Sequence, residues 1–418
     1  MLAGVPTRRQ FLRRAGRCAA AAVAGACLPA GLLGVLRPPA ARAAGAVGRL
    51  LANAPVARHW IGADAAPAQC SACHVRPLPA AGTTAAPYRH RSPVVQCQLC
   101  PHRCQLRDGE RGRCRVRMHV DGQLRTLSYG RPLSEHIDPI EKKPFYHFLP
   151  GSLAYSLGTA GCPLRCQFCQ NWQISQADPE EYDAPFCGAE ELAGRVAAAR
   201  GGSVPVVAFT YNEPAVFLEY AVDIARRVRA AGVRTVIVSC GYINPEPLAE
   251  MLAVLDAVKF DLKGFDPEFY RNVCGAELEP VLRSIQQVAR SGRHLELVNL
   301  VVPTLNDADQ SLGALAQWVA DELGPDVPVH FTRFHPDFRL RHLPPTPVAT
   351  LERARAIAQD RGIRYVYVGN VPGHPGNHTY CPTCHQLCIE RKGFLVVDTR
   401  LNGGRCPGCG TPIAGVWS

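Results

Sequence analysis

Residues 161–171 read GCPLRCQFCQN, a stretch in which Cys162, Cys166 and Cys169 follow the spacing C-x3-C-x2-C. It comes directly after an apolar run, residues 154–159, that has the composition of a buried strand. Three thiolates this close in sequence can hold three corners of a [4Fe–4S] cluster and leave the fourth iron without a protein ligand. An iron with an open position binds a substrate or cofactor, so the spacing predicts a catalytic cluster. A structural zinc loop is the alternative interpretation.

From residue 151 onward, short apolar runs rich in β-branched residues alternate with amphipathic helical stretches. The predicted strands are 155–159, 206–210, 235–239, 258–262, 295–301, 329–333 and 365–368. The predicted helices are 214–230, 246–255, 280–290, 310–323 and 348–361. Repeated strand–helix units predict an α/β fold, a partial or complete (β/α) parallel barrel over residues 151–375. Active sites of such folds lie at the C-terminal ends of the strands, where the three-cysteine loop falls.

A second group of cysteines belongs to a small cysteine-rich module predicted over residues 93–150. Cys97, Cys100, Cys104 and Cys114 have the spacing C-x2-C-x3-C-x9-C, and four thiolates within eighteen residues can enclose a metal. Zinc and an auxiliary iron–sulfur cluster both fit this spacing, so both interpretations stay open.

Two further C-x-x-C pairs lie near the C-terminus. Cys381 and Cys384 form the first, Cys406 and Cys409 form the second, and the segment between them alternates like a β-hairpin. The pattern predicts a zinc-ribbon-like module over residues 376–418, too short to fold without its metal. Rubredoxin-like iron is the alternative.

The first 44 residues differ from the rest in charge. They hold seven arginines and no acidic residue, so the formal net charge of +11 becomes 39 basic against 35 acidic residues beyond this segment. That balance argues against a nucleic-acid partner. Residues 7–12 read TRRQFL, residues 19–36 are Ala/Gly-rich and apolar, and residues 41–43 read ARA. This pattern predicts a twin-arginine signal peptide over 1–44 and an exported protein, periplasmic or membrane-anchored; a cytoplasmic location is the alternative.

A Pro/Ala/Gly-rich arm is predicted over residues 45–92. Within it, Cys70, Cys73 and His74 form the C-x-x-C-H pattern of covalent haem attachment. A metal-binding pair or a pair of loop cysteines is the alternative.

From Cys97 to the C-terminus the chain resembles the radical S-adenosylmethionine (SAM) protein of the AmmeMemoRadiSam system, itself similar to activating enzymes of pyruvate formate-lyase. The matching segments are CQLCPHRC (97–104), DPIEKKP (138–144), GCPLRCQFCQNWQISQ (161–176), TYNEP (210–214), DLKG (261–264), VPTLND (302–307), GN (369–370) and the terminal cysteine pairs. The resemblance implies that Cys162, Cys166 and Cys169 hold a [4Fe–4S] cluster. It also implies reductive cleavage of SAM to a 5′-deoxyadenosyl radical, which abstracts hydrogen from an unidentified protein or small-molecule substrate.

The resemblance also implies a SAM site. Asn212 and Glu213 stand where the family binds the methionyl amino group, which a carboxylate accepts through a charge-assisted bond. Asp261 and Lys263 line the SAM site in the activating enzymes; a structural ion pair is the alternative. His335 matches a histidine near SAM, with a satisfied loop histidine as the alternative. Ser239 and Asn299 are weaker candidates, and Cys240 could face the same site.

The partners implied are a reductant such as flavodoxin or ferredoxin and Memo-like or AMMECR-like proteins. Two other functions stay open. One is activation of a glycyl-radical enzyme. The other, of a different class, is an exported iron–sulfur or haem electron-transfer protein without SAM chemistry.

Overall fold

The structure, a computed structural model, describes residues 39–62, 94–201 and 203–418. Most of the predicted export signal and the C-x-x-C-H motif at Cys70, Cys73 and His74 lie outside these ranges. No helix among the described residues is long and apolar enough to cross a membrane.

The described residues form sixteen strands and seven helices of eight residues or more. The strands are β1 (Trp60–Ile61), β2 (Val94–Cys97), β3 (Gln105–Arg107), β4 (Arg117–Val120), β5 (Gln123–Thr126), β6 (Ser134–Pro139), β7 (Leu153–Gly158), β8 (Val206–Phe209), β9 (Arg234–Ser239), β10 (Ala257–Asp261), β11 (His294–Val301), β12 (Val329–Arg333), β13 (Val366–Gly369), β14 (Thr379–Tyr380), β15 (Leu387–Lys392) and β16 (Leu395–Thr399). The helices are α1 (Pro39–Leu51), α2 (Ala189–Gly201), α3 (Leu218–Ala230), α4 (Pro245–Leu252), α5 (Leu278–Arg290), α6 (Asp309–Leu323) and α7 (Val348–Asp360).

The central sheet contains eight strands in chain order from β6 to β13. Strands β7 to β13 are parallel, with registers such as Ala154 opposite Val206 and Ala257 opposite His294. The seven strands and five helices predicted from periodicity are confirmed within a few residues at their ends. The sequence did not predict β6, which pairs antiparallel with β7, or helix α2. Among the described residues β6 and β13 share no ladder, so the sheet is open between them.

The parallel strands are short and apolar because both of their faces are covered. All four residues of β8 are buried, as expected for a sheet packed on both sides. The helices that cover the sheet bury one apolar face. In α5, Val281, Ile285 and Val288 are buried at spacings of four and three residues.

Two small modules flank this sheet. The first contains the antiparallel sheet β1–β2–β3 and the hairpin β4–β5, and its apolar residues belong to the same core as the parallel strands. The second contains the antiparallel sheet β14–β15–β16. The predicted hairpin is confirmed, with its turn at Gly393 and Phe394 between β15 and β16.

Candidate active site

The C-terminal ends of the parallel strands surround a cavity of about 490 Å³. A volume of this order suits a cofactor together with part of a substrate. The loop after β7, the ends of β8, β9 and β10, and residues of β11 to β13 all contribute to its wall. The cavity therefore lies at the edge of the sheet where the sequence predicts the chemistry.

Cys162, Cys166 and Cys169 all lie in the wall of this cavity. Burial raises the pKa of the Cys162 thiol well above its usual value, and the neighbouring Glu213 carboxylate raises it further. A free thiol here stays neutral, whereas a metal centre stabilises the thiolate. The three sulfur atoms do not all lie within 4.8 Å of one another. That spacing is too wide for one shared zinc ion and fits a cluster with one iron for each thiolate.

Asn212 holds the cysteine loop in place. Its side-chain oxygen accepts a hydrogen bond from the backbone nitrogen of Thr159 at 3.0 Å. Its amide nitrogen donates to the carbonyl oxygens of Ala160 and Gly161 at 3.1 and 2.9 Å. The side chain also lies in the cavity wall, so its predicted contact with SAM stays a prediction beside this positioning role.

Glu213 presents a buried, fixed carboxylate to the cavity. Oε1 accepts hydrogen bonds from Ser239 Oγ at 2.7 Å and from the backbone nitrogen of Ala215 at 3.0 Å. Oε2 accepts one bond, from the backbone nitrogen of Cys240 at 2.8 Å. Because a carboxylate oxygen can accept two bonds, Oε2 keeps capacity for a cationic donor. Cys240 also lines the cavity, as its place at a strand end suggested.

Asp261 lies between two lysines, Lys259 and Lys263, and all three groups line the cavity. Burial raises the pKa of Asp261, but the two ammonium groups outweigh it and lower that pKa to about 2. Lys263 Nζ lies 3.2 Å from Asp261 Oδ2 and 5.7 Å from the centre of the Phe168 ring. The ion pair between Asp261 and Lys263, which was the structural alternative, is therefore present. It places the Lys263 ammonium beside Phe168 of the three-cysteine loop.

His335 is not among the residues that line this cavity. It is exposed on the loop after β12 and borders an adjoining depression, which shares Asn370 and Phe394 with the cavity wall, so its predicted contact with SAM stays a prediction. The Asn299 side chain does not face the cavity. Its neighbours Val298 and Leu300 do, and successive residues of a strand such as β11 face opposite sides of the sheet.

Lys143 is a cavity residue that the sequence did not single out. Its Nζ donates to Asp138 Oδ2 at 2.6 Å, and Tyr211 Oη donates to the same oxygen at 2.6 Å. Burial lowers the pKa of Lys143 to about 8, although Asp138 opposes that shift. The signal available was the segment DPIEKKP (138–144), one of the stretches that carry the family resemblance.

The two other cysteine groups are each brought together. The C-terminal four are Cys381, Cys384, Cys406 and Cys409, and their sulfur atoms all lie within 4.8 Å of one another, a grouping that can hold one metal ion. The N-terminal four also gather: Cys97, Cys100 and Cys114 belong to one buried core with Cys104 packed against it, and the Cys97 N–H donates to the Cys104 carbonyl oxygen at 2.9 Å.

Comparison with known proteins places this site in a family. The sequence model of the Radical SAM superfamily matches residues 156–315, from β7 into α6. The chain is 43% identical over 321 residues to an uncharacterized protein of Methanocaldococcus jannaschii, a match that covers 76% of this chain and 95% of the relative. The chain therefore belongs to the radical SAM superfamily and is an enzyme.

Its relatives include activating enzymes. A pyruvate formate-lyase-activating enzyme of Listeria monocytogenes serovar 1/2a is 26% identical over 168 residues, 38% of this chain and 66% of the relative. Among solved structures, a radical SAM methyltransferase from Sphaerobacter thermophilus superposes with a TM-score of 0.43 at 15% identity, over 57% of this chain and 71% of that one. The family assignment favours SAM cleavage and radical generation over the electron-transfer alternative.

Proposed function

We propose that this enzyme resembles the radical SAM protein of the AmmeMemoRadiSam system in mechanism and uses its radical on a substrate that enters the cavity. The observation that carries the proposal is the convergence of the cysteine loop, Glu213 and Lys263 on one cavity. When bound, the reduced cluster would supply one electron to the SAM sulfonium, whose C–S bond cleavage would give methionine and a 5′-deoxyadenosyl radical.

The chain's own residues bind and orient the cofactor. Cys162, Cys166 and Cys169 hold the cluster. Glu213 accepts the methionyl ammonium through the free capacity of Oε2, and its three existing hydrogen bonds fix its orientation. Lys263, kept charged by Asp261, donates to the methionyl carboxylate.

We infer that the parallel sheet curls into a partial barrel. Seven flat strands spaced 4.8 Å apart would span about 29 Å from β7 to β13. Nevertheless, Cys162 after β7 and Gly369 at the end of β13 line the same cavity. Curvature brings the two ends of the sheet together around one site.

The test is the formation of 5′-deoxyadenosine. The full chain is purified without oxygen, reconstituted with iron and sulfide, reduced with dithionite and given SAM, and the product is quantified by mass spectrometry. Cys166→Ala is expected to abolish the product. Glu213→Gln is expected to weaken SAM use by roughly 10- to 100-fold, because it removes a charge-assisted hydrogen bond, whereas the exposed Glu110→Gln leaves it unchanged. A fully loaded, reducible cluster that gives no product would contradict the proposal.

Activation of a glycyl-radical enzyme is the second candidate, favoured by the relatives named as pyruvate formate-lyase-activating enzymes. It predicts a stable carbon-centred radical on a partner polypeptide after incubation with this enzyme and SAM. Electron paramagnetic resonance distinguishes it from chemistry on a small molecule, which leaves no protein radical.

We propose that the C-terminal cysteines bind zinc in a zinc-ribbon-like module. Cys381 Sγ lies 3.5 Å from Cys409 Sγ, and Cys384 Sγ lies 3.5 Å from Cys406 Sγ. One equivalent of zinc in the purified chain would support this proposal, and one equivalent of iron without sulfide would indicate a rubredoxin-like site instead.

Export, haem attachment and protein partners are proposals that rest on sequence patterns. Export by the twin-arginine route predicts that Arg8→Lys with Arg9→Lys retains the protein in the cytoplasm, as cell fractionation would measure.

Haem at Cys70 and Cys73 predicts a haem absorption band that is lost when both become alanine. Flavodoxin or ferredoxin as reductant, and Memo-like or AMMECR-like proteins as partners, predict co-purification with this chain.

A further inference from the structure

The N-terminal and C-terminal cysteine groups differ in the spacing of their sulfur atoms. One tetrahedral zinc with bonds of 2.3 Å places its sulfur ligands about 3.8 Å apart. The C-terminal group meets that requirement, with sulfur pairs at 3.5 Å and all four atoms within 4.8 Å. In the described residues no other set of three or more cysteines, histidines or acids is this tight, so the N-terminal thiols stand farther apart.

The N-terminal cysteines nevertheless lie near one another. The backbone holds their segments together: the Cys97 N–H donates to the Cys104 carbonyl oxygen at 2.9 Å, and the backbone N–H of Arg113, the neighbour of Cys114, donates to Cys104 Sγ at 3.4 Å. The three cysteines of the active-site loop likewise line one cavity without all lying within 4.8 Å of one another. A cluster explains it, because each thiolate binds a different iron.

The surroundings of the N-terminal thiols also suit a cluster. Cys97, Cys100 and Cys114 are buried, while Cys384 and Cys409 of the C-terminal group are exposed. The buried apolar residues of this core segment are Val95, Leu99, Leu106 and Val116. An apolar shell keeps water from cluster sulfurs and sets the reduction potential.

The N-terminal module is joined directly to the active-site loop. A His102 ring nitrogen lies 3.0 Å from the carbonyl oxygen of Pro163. The Arg165 guanidinium donates to the carbonyl oxygens of Cys162, at 3.0 Å, and of Arg113. Gly161 approaches so closely that a Cβ there would lie 2.5 Å from the Cys114 carbonyl oxygen.

We propose that Cys97, Cys100, Cys104 and Cys114 bind a second iron–sulfur cluster of the [4Fe–4S] type, ligated by cysteine at all four irons, and not zinc. This site is additional to the cluster of the active-site loop and does not depend on whether SAM is cleaved.

The test counts metals in the full chain after anaerobic reconstitution, with haem iron measured separately and subtracted. The combined Cys162→Ala, Cys166→Ala, Cys169→Ala variant is expected to keep about four irons and four acid-labile sulfides, against about eight of each in the wild type. After dithionite reduction it is expected to show the resonance of a reduced [4Fe–4S] cluster. Adding Cys97→Ala and Cys100→Ala is expected to remove that iron, whereas adding Cys187→Ala, a buried cysteine outside both groups, leaves it in place.

The wild-type count guards against variants that fail to fold. About eight irons with one zinc support the proposal, and about four irons with two zinc ions overturn it. A triple variant that folds by circular dichroism but holds no iron and no sulfide overturns it as well, whatever the activity of the wild type.

Discussion

The two four-cysteine groups of this chain use the same ligands, and each begins with a C-x-x-C pair, yet the fold treats them differently. The C-terminal group is tight and half-exposed, and it sits on a three-stranded sheet whose small core cluster is completed by Tyr146, Tyr365 and Tyr367. The N-terminal group is wider, with three of its four cysteines buried, and it shares the main core with the active-site loop. The comparison teaches that four cysteines alone do not identify the metal they bind, whereas the spacing and burial of their sulfur atoms differ between the two groups and carry the proposal of one zinc ion and one cluster.

Removing ligands from each group in turn should separate the two metals completely. Cys97→Ala with Cys100→Ala is expected to lower iron by about half and leave zinc unchanged. Cys381→Ala with Cys384→Ala is expected to remove zinc and leave iron unchanged. Elemental analysis of both variants measures this, and loss of zinc from the first variant would make the two groups alike.

The next largest effect concerns how the C-terminal module is attached. Arg391 of β15 is fully buried, lies over the Tyr146 ring at 4.1 Å and stands 3.7 Å from Glu141. At pH 8, where Glu141 is ionised, Arg391→Met leaves its carboxylate buried without a cation, so we expect a loss of about 3–5 kcal/mol in the free energy of unfolding at that pH. The control is Arg400→Met, which removes a half-exposed ion pair and should cost less than about 1 kcal/mol in denaturant unfolding. Equal effects would show that Arg391 does not fasten the module.

Glu141, which stands beside Arg391, should make the free energy of unfolding depend on pH. Burial raises the pKa of Glu141 to about 7 even though Arg391 lowers it. The folded state therefore keeps a proton that the unfolded chain releases near pH 4.5, and stability falls as pH rises between these two values. The expected loss is about 3 kcal/mol, measured by unfolding at pH 5 and pH 8. Glu141→Gln should flatten this dependence, and an unchanged slope would assign it to other groups.

The smallest effect tests the contact between the N-terminal group and the active-site loop. Gly161 has φ 91°, and a Cβ there would meet the backbone of Cys114 at 2.5 Å. Gly109 has a similar φ, 82°, with open space around it. Gly109→Ala is expected to cost about 1 kcal/mol and Gly161→Ala about 3 kcal/mol, the difference being the steric clash. Unfolding in denaturant measures both, and equal costs would mean that the two segments are not tightly apposed.

Much of the site was predictable because its signals are local. The spacing of Cys162, Cys166 and Cys169 and the strand before them are contained in a few consecutive residues. Glu213 and Lys263 follow predicted strands, so their arrival at one edge of a parallel sheet was expected. Lys143 was missed because its segment follows an antiparallel strand that periodicity did not indicate. His335 was matched by its position after a strand, and because it borders a depression that adjoins the cavity, its contact with SAM stays a prediction.

The sequence by itself determined the α/β fold with its parallel strands, the active-site cysteines and the three groups of thiols seen in the structure, because periodicity and ligand spacing are properties of neighbouring residues. The tertiary structure decided which charges meet in the cavity, which side chains merely hold the loop, and how far apart the thiols of each group stand. Those depend on register and packing between segments far apart in the chain. The wide N-terminal group and the tight C-terminal one differ for that reason, and spacing in sequence could not distinguish them.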